Sequence, residues 1–190
     1  EKFYKINPMT GLSETYREAS KEYISQIKSF KVLNNHKFIE YPKIGFLELE
    51  KILKKISILT GGILLIDYGY LNVVNKSTIQ AVMKNRKIQM NSLFKNLGKT
   101  DITYLVNFSL LNEFFLKKKI KVKKIVNQKF FLEKMGILER AKILKKKMTH
   151  DERERMDLTL MRLLNPRLMG GLFKVIFAYK SKRNNFLGFK

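Results

Sequence analysis

Asp67, Tyr68, Gly69 and Tyr70 follow directly on Gly61-Gly62-Ile63-Leu64-Leu65-Ile66. A carboxylate and two phenols thus stand at the end of an apolar run. A run without alternation predicts a strand covered on both faces, as in a parallel sheet flanked by helices. In open α/β sheets ligands gather beyond the carboxyl ends of the strands, where residues 67–70 would lie. Two interpretations stand side by side. The group lines a binding cleft, or Asp67 caps the next turn while the tyrosines pack on a neighbouring loop. Metal chemistry has little to draw on: cysteine is absent, and the two histidines, His36 and His150, are far apart in unlike surroundings. Both read as surface residues, and no metal is expected. Without cysteine neither a disulfide framework nor a zinc–thiolate site can form, which fits a reducing compartment.

The elements that must position this group are legible from Ile44 onward. Leu49, Ile52, Leu53, Ile56 and Leu59 fall on one helical stripe, with Glu50 and Lys54 on the wet face. Thr60-Gly61-Gly62 ends that helix, glycine tolerating a left-handed cap. Helix, glycine turn and buried strand make the αβ half of a βαβ unit. Residues 71–103 are long, polar and poorly periodic, which predicts a functional loop. A helix is expected over 107–119, with Asn107 as N-cap and Phe108, Leu111 and Phe115 inward. An edge-like strand follows at 120–128, then two helices broken at Gly136 over 129–147. A helix over 150–165 carries Asp151 and Glu152 in its first turn and stops at Pro166, and residues 170–180 read as a strand. Before Ile44 the pattern is weaker. Pro8 and Gly11 punctuate a turn, 14–30 fits a helix or paired strands, and 34–42 reads as a turn, a short strand and a proline stop. No repeat or low-complexity linker is present, which predicts one domain over 1–190, with 1–39 as a lead-in.

The formal net charge of +23 would ordinarily point to an anionic partner such as nucleic acid. Lysine outnumbers arginine 31 to 8, however, and the tracts at 117–124 and 142–147 interleave Ile, Val and Leu instead of aromatics. Base and phosphate readers favour arginine's planar fork, so a solvated basic face is the better account. No apolar stretch is long enough to span a membrane, and the start lacks the apolar core of a signal peptide. The absence of an initiator Met hints at material upstream.

From Glu40 onward the sequence resembles the S-adenosylmethionine-dependent methyltransferases that include the mitochondrial complex I assembly-factor methyltransferase and its bacterial relatives. The resemblance rests on several blocks in order: "EYP" (40–42), "GGILLIDYGY" (61–70), "STIQAV" (77–82), "DITYLVNF" (101–108), "NQKFFLEKMGILERA" (127–141) and "RLLNPRLMGGLFKV" (162–175). Lys76-Ser77, Asn85, Asn107 and Lys129 depart from the family's usual residues. The family's glycine-rich cofactor loop and ribose-holding acid have no counterpart in residues 1–39.

What the resemblance implies is specific. The expected fold class is α/β, the C-terminal part of a Rossmann-like class I methyltransferase (strands five to seven with flanking helices) without the N-terminal cofactor-binding half. The cofactor would be S-adenosyl-L-methionine, bound mainly by residues outside this chain. The acceptor would be a protein arginine, as in respiratory complex I assembly. A guanidinium stays protonated at cellular pH, so carboxylates must orient it. Asp67 and Asp101 would be those catalytic carboxylates. Glu40, Tyr68, Gly69, Tyr70, Gln80, Thr103 and Gln128 would bind the substrate. Gln128 and Lys174 match family positions, though Lys174 inside a strand also suits packing or a salt bridge. Expected partners are a protein substrate such as a complex I subunit, and a homo-oligomer is compatible, with no specific nucleic acid and no membrane span. The compartment would be the cytoplasm in a bacterium or the mitochondrial matrix in a eukaryote. By itself such a half would expose an unpaired strand edge and be inactive. The alternatives are a non-catalytic remnant or assembly protein, and a basic nucleic-acid-binding module.

Overall fold

The computed structural model describes residues 1–7, 11–84, 86–90, 96 and 98–190. Pro8, expected in a turn, and Asn85, one of the departures from the family pattern, lie outside the described residues. The chain forms two compact units, Glu1–Tyr41 with Val73–Leu105, and Pro42–Asn72 with Val106–Lys190. It therefore passes from one to the other three times.

In the first unit, strands β1 (Lys2–Asn7) and β2 (Gly11–Tyr16) pair antiparallel, from Lys2–Tyr16 to Asn7–Gly11. Residues 14–30 thus contain both expected alternatives, the end of β2 and then helix α1 (Lys21–Lys28). Ser20 sets the helix start, its side chain accepting the Tyr23 N–H at 3.2 Å. The strand expected within 34–42 does not form. A 3-10 turn at Lys31–Leu33 leads into irregular chain, and the Lys37 N–H is taken by the Asn75 side chain at 2.7 Å, not by a strand neighbour. The long loop expected over 71–103 is also corrected. It holds a three-stranded antiparallel sheet with β4 (Gln80–Met83) between β5 (Arg86–Ile88) and β6 (Asp101–Thr103). Strands of three or four residues are too short to show an alternation that sequence inspection can find.

The second unit starts with α2 (Lys43–Leu59) and β3 (Gly61–Tyr70). After the other unit intervenes come β7 (Val106–Asn107), α3 (Phe108–Lys117), β8 (Lys121–Val122), β9 (Val126–Asn127), α4 (Gln128–Lys134), α5 (Ile137–Lys145), α6 (His150–Leu164), α7 (Met169–Leu172) and β10 (Phe173–Lys180). The buried stripe of α2 is Phe46, Leu53 and Ile56, whereas Ile52 and Leu59 of the expected stripe are exposed. Phe46 anchors it by stacking on Phe114 with ring centroids 4.1 Å apart. The left-handed residue at the helix end is Thr60, with φ 62°, ahead of Gly61. Asn107 caps α3 as expected, and Phe108, Leu111 and Phe115 are buried. Burying Phe108 and Phe115, each 0% exposed, contributes roughly 1.5–3 kcal/mol apiece.

The sheet of this unit runs β7-β3-β10-β8, with β9 also on β10. Its register corrects the central expectation. β3 pairs antiparallel with β10 from Gly61–Lys180 to Tyr68–Phe173, and parallel with β7 at Gly69–Val106 and Tyr70–Asn107. Along residues 61–68 the opposite edge of β3 carries no strand among the described residues. Leu64 and Ile66 are 43% and 41% exposed, so Ile63–Ile66 is not an interior ribbon here. The strand covered on both faces is β10, where Val175, Ile176 and Ala178 are each 0% exposed. It also begins at Phe173 and not at residue 170, because α7 occupies 169–172.

Candidate functional site

The expected site residues divide between the two units. Asp67, Tyr68, Gly69, Tyr70 and Gln128 belong to the second; Glu40, Gln80, Asp101 and Thr103 belong to the first. Within each unit the structure brings some of them together.

In the second unit, β3 delivers Asp67 next to Lys174 of β10, and Lys174 is in turn opposite Asn127 of β9. Directly opposed residues on neighbouring strands lie within side-chain reach. Asp67, Lys174 and Asn127 therefore form one row across three strands, and Gln128 follows at its end. The Asp67 carboxylate is exposed and accepts the Tyr68 N–H at 2.8 Å. Both residues lie within β3, so this is a bond inside the strand and not the cap of a following turn. Lys174 donates to the carbonyl oxygen of Gly171 at 2.5 Å and more weakly to that of Leu172. Burial holds its ammonium below the usual lysine range. The Tyr68 ring lies against Phe173, centroids 3.9 Å apart. Gly69 has a packing reason to be glycine: an added Cβ would stand 2.4 Å from the Val106 carbonyl oxygen and 2.5 Å from the Phe108 ring. Gln128 is buried and donates to the Leu163 carbonyl oxygen at 3.0 Å, securing the end of α6. Phe173 and the Lys174–Asn127 pairing were missed from sequence, because no local spacing reveals which strands become neighbours.

In the first unit, Gln80 pairs with Thr103 and Val82 with Asp101 across β4 and β6. Asp101 is exposed, while the Thr103 hydroxyl is buried without a hydrogen-bond partner among the described residues. Glu40 is committed differently. Its carboxylate accepts from the Ser77 hydroxyl at 3.2 Å and from the Thr78 N–H at 2.8 Å and hydroxyl at 2.5 Å. Thr78 Oγ1 in turn accepts the Leu105 N–H at 2.9 Å. One carboxylate thus ties residues 40, 77–78 and 105, each near a passage between the units. It also borders a cavity of about 340 Å³ with Tyr4, Tyr23, Phe38 and Tyr41 on its walls.

A cofactor with a ribose and an amino-acid tail is commonly held at a glycine-rich strand-to-helix turn. The turns from β7 to α3 and from β9 to α4 contain no glycine, and their asparagine caps spend their side chains on the N–H groups of Leu110 and Phe130. The described residues do not build such a cradle.

Residues 7–126 match the model of a family described as "putative S-adenosyl-L-methionine-dependent methyltransferase". Two solved structures from Burkholderia thailandensis are similar in fold. One, an uncharacterized protein, gives a TM-score of 0.77 at 16% identity over 99% of this chain and 50% of its own. The other, of the same superfamily and described as a "likely methyl transferase", is bound to S-adenosyl-homocysteine. It gives a TM-score of 0.74 at 17% identity over 98% of this chain and 48% of its own. The chain spans about half the length of both.

Proposed function

This chain belongs to the S-adenosyl-L-methionine-dependent methyltransferase family, and from that premise we propose that it forms the methyl-acceptor side of such an enzyme. The acceptor is a protein arginine, as the resemblance to the complex I assembly methyltransferases implies. The cofactor, when bound, supplies an electrophilic methyl group. The rest of the fold holds it, pairing along the free edge of β3 and covering Leu64 and Ile66. This accounts for an apolar margin on a chain half as long as the structures it resembles.

The observation that carries the proposal is the exposed carboxylate of Asp67 at the carboxyl end of β3, beside Tyr68 and Phe173. A guanidinium docking there would donate a charge-assisted hydrogen bond to the Asp67 carboxylate, with the Tyr68 ring at its flank. The net charge of +23 repels a cationic acceptor at long range, so local carboxylates must supply the attraction. Orientation of this kind is where an enzyme of methyl transfer gains most, since alignment is worth about 7–11 kcal/mol.

The test is calorimetric. An arginine-bearing peptide is expected to bind the chain, its citrulline counterpart to bind much more weakly, and Asp67→Asn to weaken the arginine peptide about tenfold. S-adenosyl-L-methionine alone should give no heat with these 190 residues. Equal binding of arginine and citrulline peptides, or indifference to Asp67→Asn, would sink the assignment.

A further inference from the structure

We infer that the β8–β10 margin of the second unit, with the turn that follows β10, is a docking surface for an acidic protein. This rests on charge placement and is independent of the methyl-transfer proposal.

Two stretches of the sequence, 114–132 and 158–190, contain no Asp or Glu side chain. Together they make 52 residues, which at 16 carboxylates per 190 would be expected to hold about four. The fold sets them side by side: Ala178 pairs with Val122 and Tyr179 with Lys121. Lys121 reaches the Ser181 carbonyl oxygen at 3.4 Å, and Lys123 reaches Asn184 at 3.0 Å. Lys121, Lys123, Lys124, Lys180, Lys182 and Arg183 consequently crowd one margin. Lysine on an edge strand guards against stray strand pairing, which accounts for Lys121. It does not account for the cations of the turn, nor for the missing carboxylates.

The details favour a protein over a nucleic acid or a lipid surface. Nucleic-acid platforms offer aromatic faces to bases. Here Phe177 and Tyr179 stack on each other at 5.4 Å, and both pack edge-on against Phe186 at 4.8 Å. Lys123 covers Tyr179 and Phe186, and Arg183 lies over Phe186 from 5.9 Å. The Arg183 Nε–H is already donated to the Asn185 carbonyl oxygen, so its fork is partly spent. A membrane-surface element needs an amphipathic helix with an apolar face; this margin is strand and turn. Flexible ammonium groups in an acid-free field suit scattered carboxylates, and they raise the encounter rate with an acidic surface.

The probe is a fluorescent poly-L-glutamate peptide, followed by anisotropy as salt rises. Lys121→Glu/Lys124→Glu/Lys182→Glu is compared with Lys142→Glu/Lys146→Glu/Lys147→Glu, in and just after the last turn of α5, which changes net charge equally. The glutamine versions of both sets serve if a glutamate set loses its native circular dichroism. The first set is expected to weaken binding at least tenfold and the second less than threefold. Equal losses would overturn the inference by reducing it to net charge. Tighter binding of duplex DNA or phosphatidylglycerol vesicles than of poly-L-glutamate at the same salt would overturn it too.

Discussion

Substituting Gly69 by alanine tests whether the Asp-Tyr-Gly-Tyr segment is shaped by packing. Gly69 has no positive φ, so alanine suits its backbone, and in isolation the change should stabilise by about 0.4–1 kcal/mol through the unfolded chain. The new Cβ would, however, stand 2.4 Å from the Val106 carbonyl oxygen and 2.5 Å from the fully buried Phe108 ring. Neither neighbour can yield freely. Val106 is held in register with Gly69, and Phe108 starts α3 right after its Asn107 cap. Overpacking of this kind costs about 1–3 kcal/mol, so the net expectation is a loss of roughly 1–2 kcal/mol. With a urea slope of about 2 kcal/mol/M, the midpoint should fall by roughly 0.5–1 M. Gly45→Ala is the control: its Cβ would meet Pro42 at an ordinary 3.6 Å inside α2, and it should raise the midpoint. If Gly69→Ala raises it as well, the close approach of β3 to β7 is not what fixes this glycine.

Other expectations follow from the same contacts. Glu40→Ala removes three accepted hydrogen bonds and should cost about 2 kcal/mol, deprotecting the Thr78 amide in hydrogen exchange while Val175–Tyr179 stay protected; Glu40→Gln should fall between. Thr149→Ala removes a capping box at α6 and should cost about 1 kcal/mol by chemical denaturation. Hydrogen bonds from Thr149 hold Glu152 below its ordinary value of 4.5, so its contribution is present above that pH and is lost as pH falls through the lower folded value. Glu152→Gln should flatten that acid limb in melts. Lys174 is the opposite case in sign. Its folded pKa is lowered by burial, so the unfolded chain binds more protons as pH approaches 10.5 and stability should rise there, a rise that Lys174→Met should abolish.

Much of the second unit was legible because its signals are local. Asn107, Gly136 and Pro166 punctuate helices through groups within four residues, and the stripe of α3 follows from helical period alone. Phe46 was passed over as an anchor because its value comes from Phe114, a residue from another helix. The first unit was largely opaque. Its strands are short, and its organising carboxylate, Glu40, works through Ser77 and Thr78, more than thirty residues away.

The sequence by itself determined that a carboxylate and two tyrosines close an apolar strand, that cysteine chemistry is absent, and where most helices begin and end. These depend on composition and short spacing. Tertiary structure alone decided that β3 lies at a margin while β10 takes the covered centre. It also decided that Asp67 faces Lys174 and that two acid-free stretches share one edge. Strand order and register are set by long-range pairing, and the energy of a pairing resides in both partners at once, so neither segment read singly can disclose it.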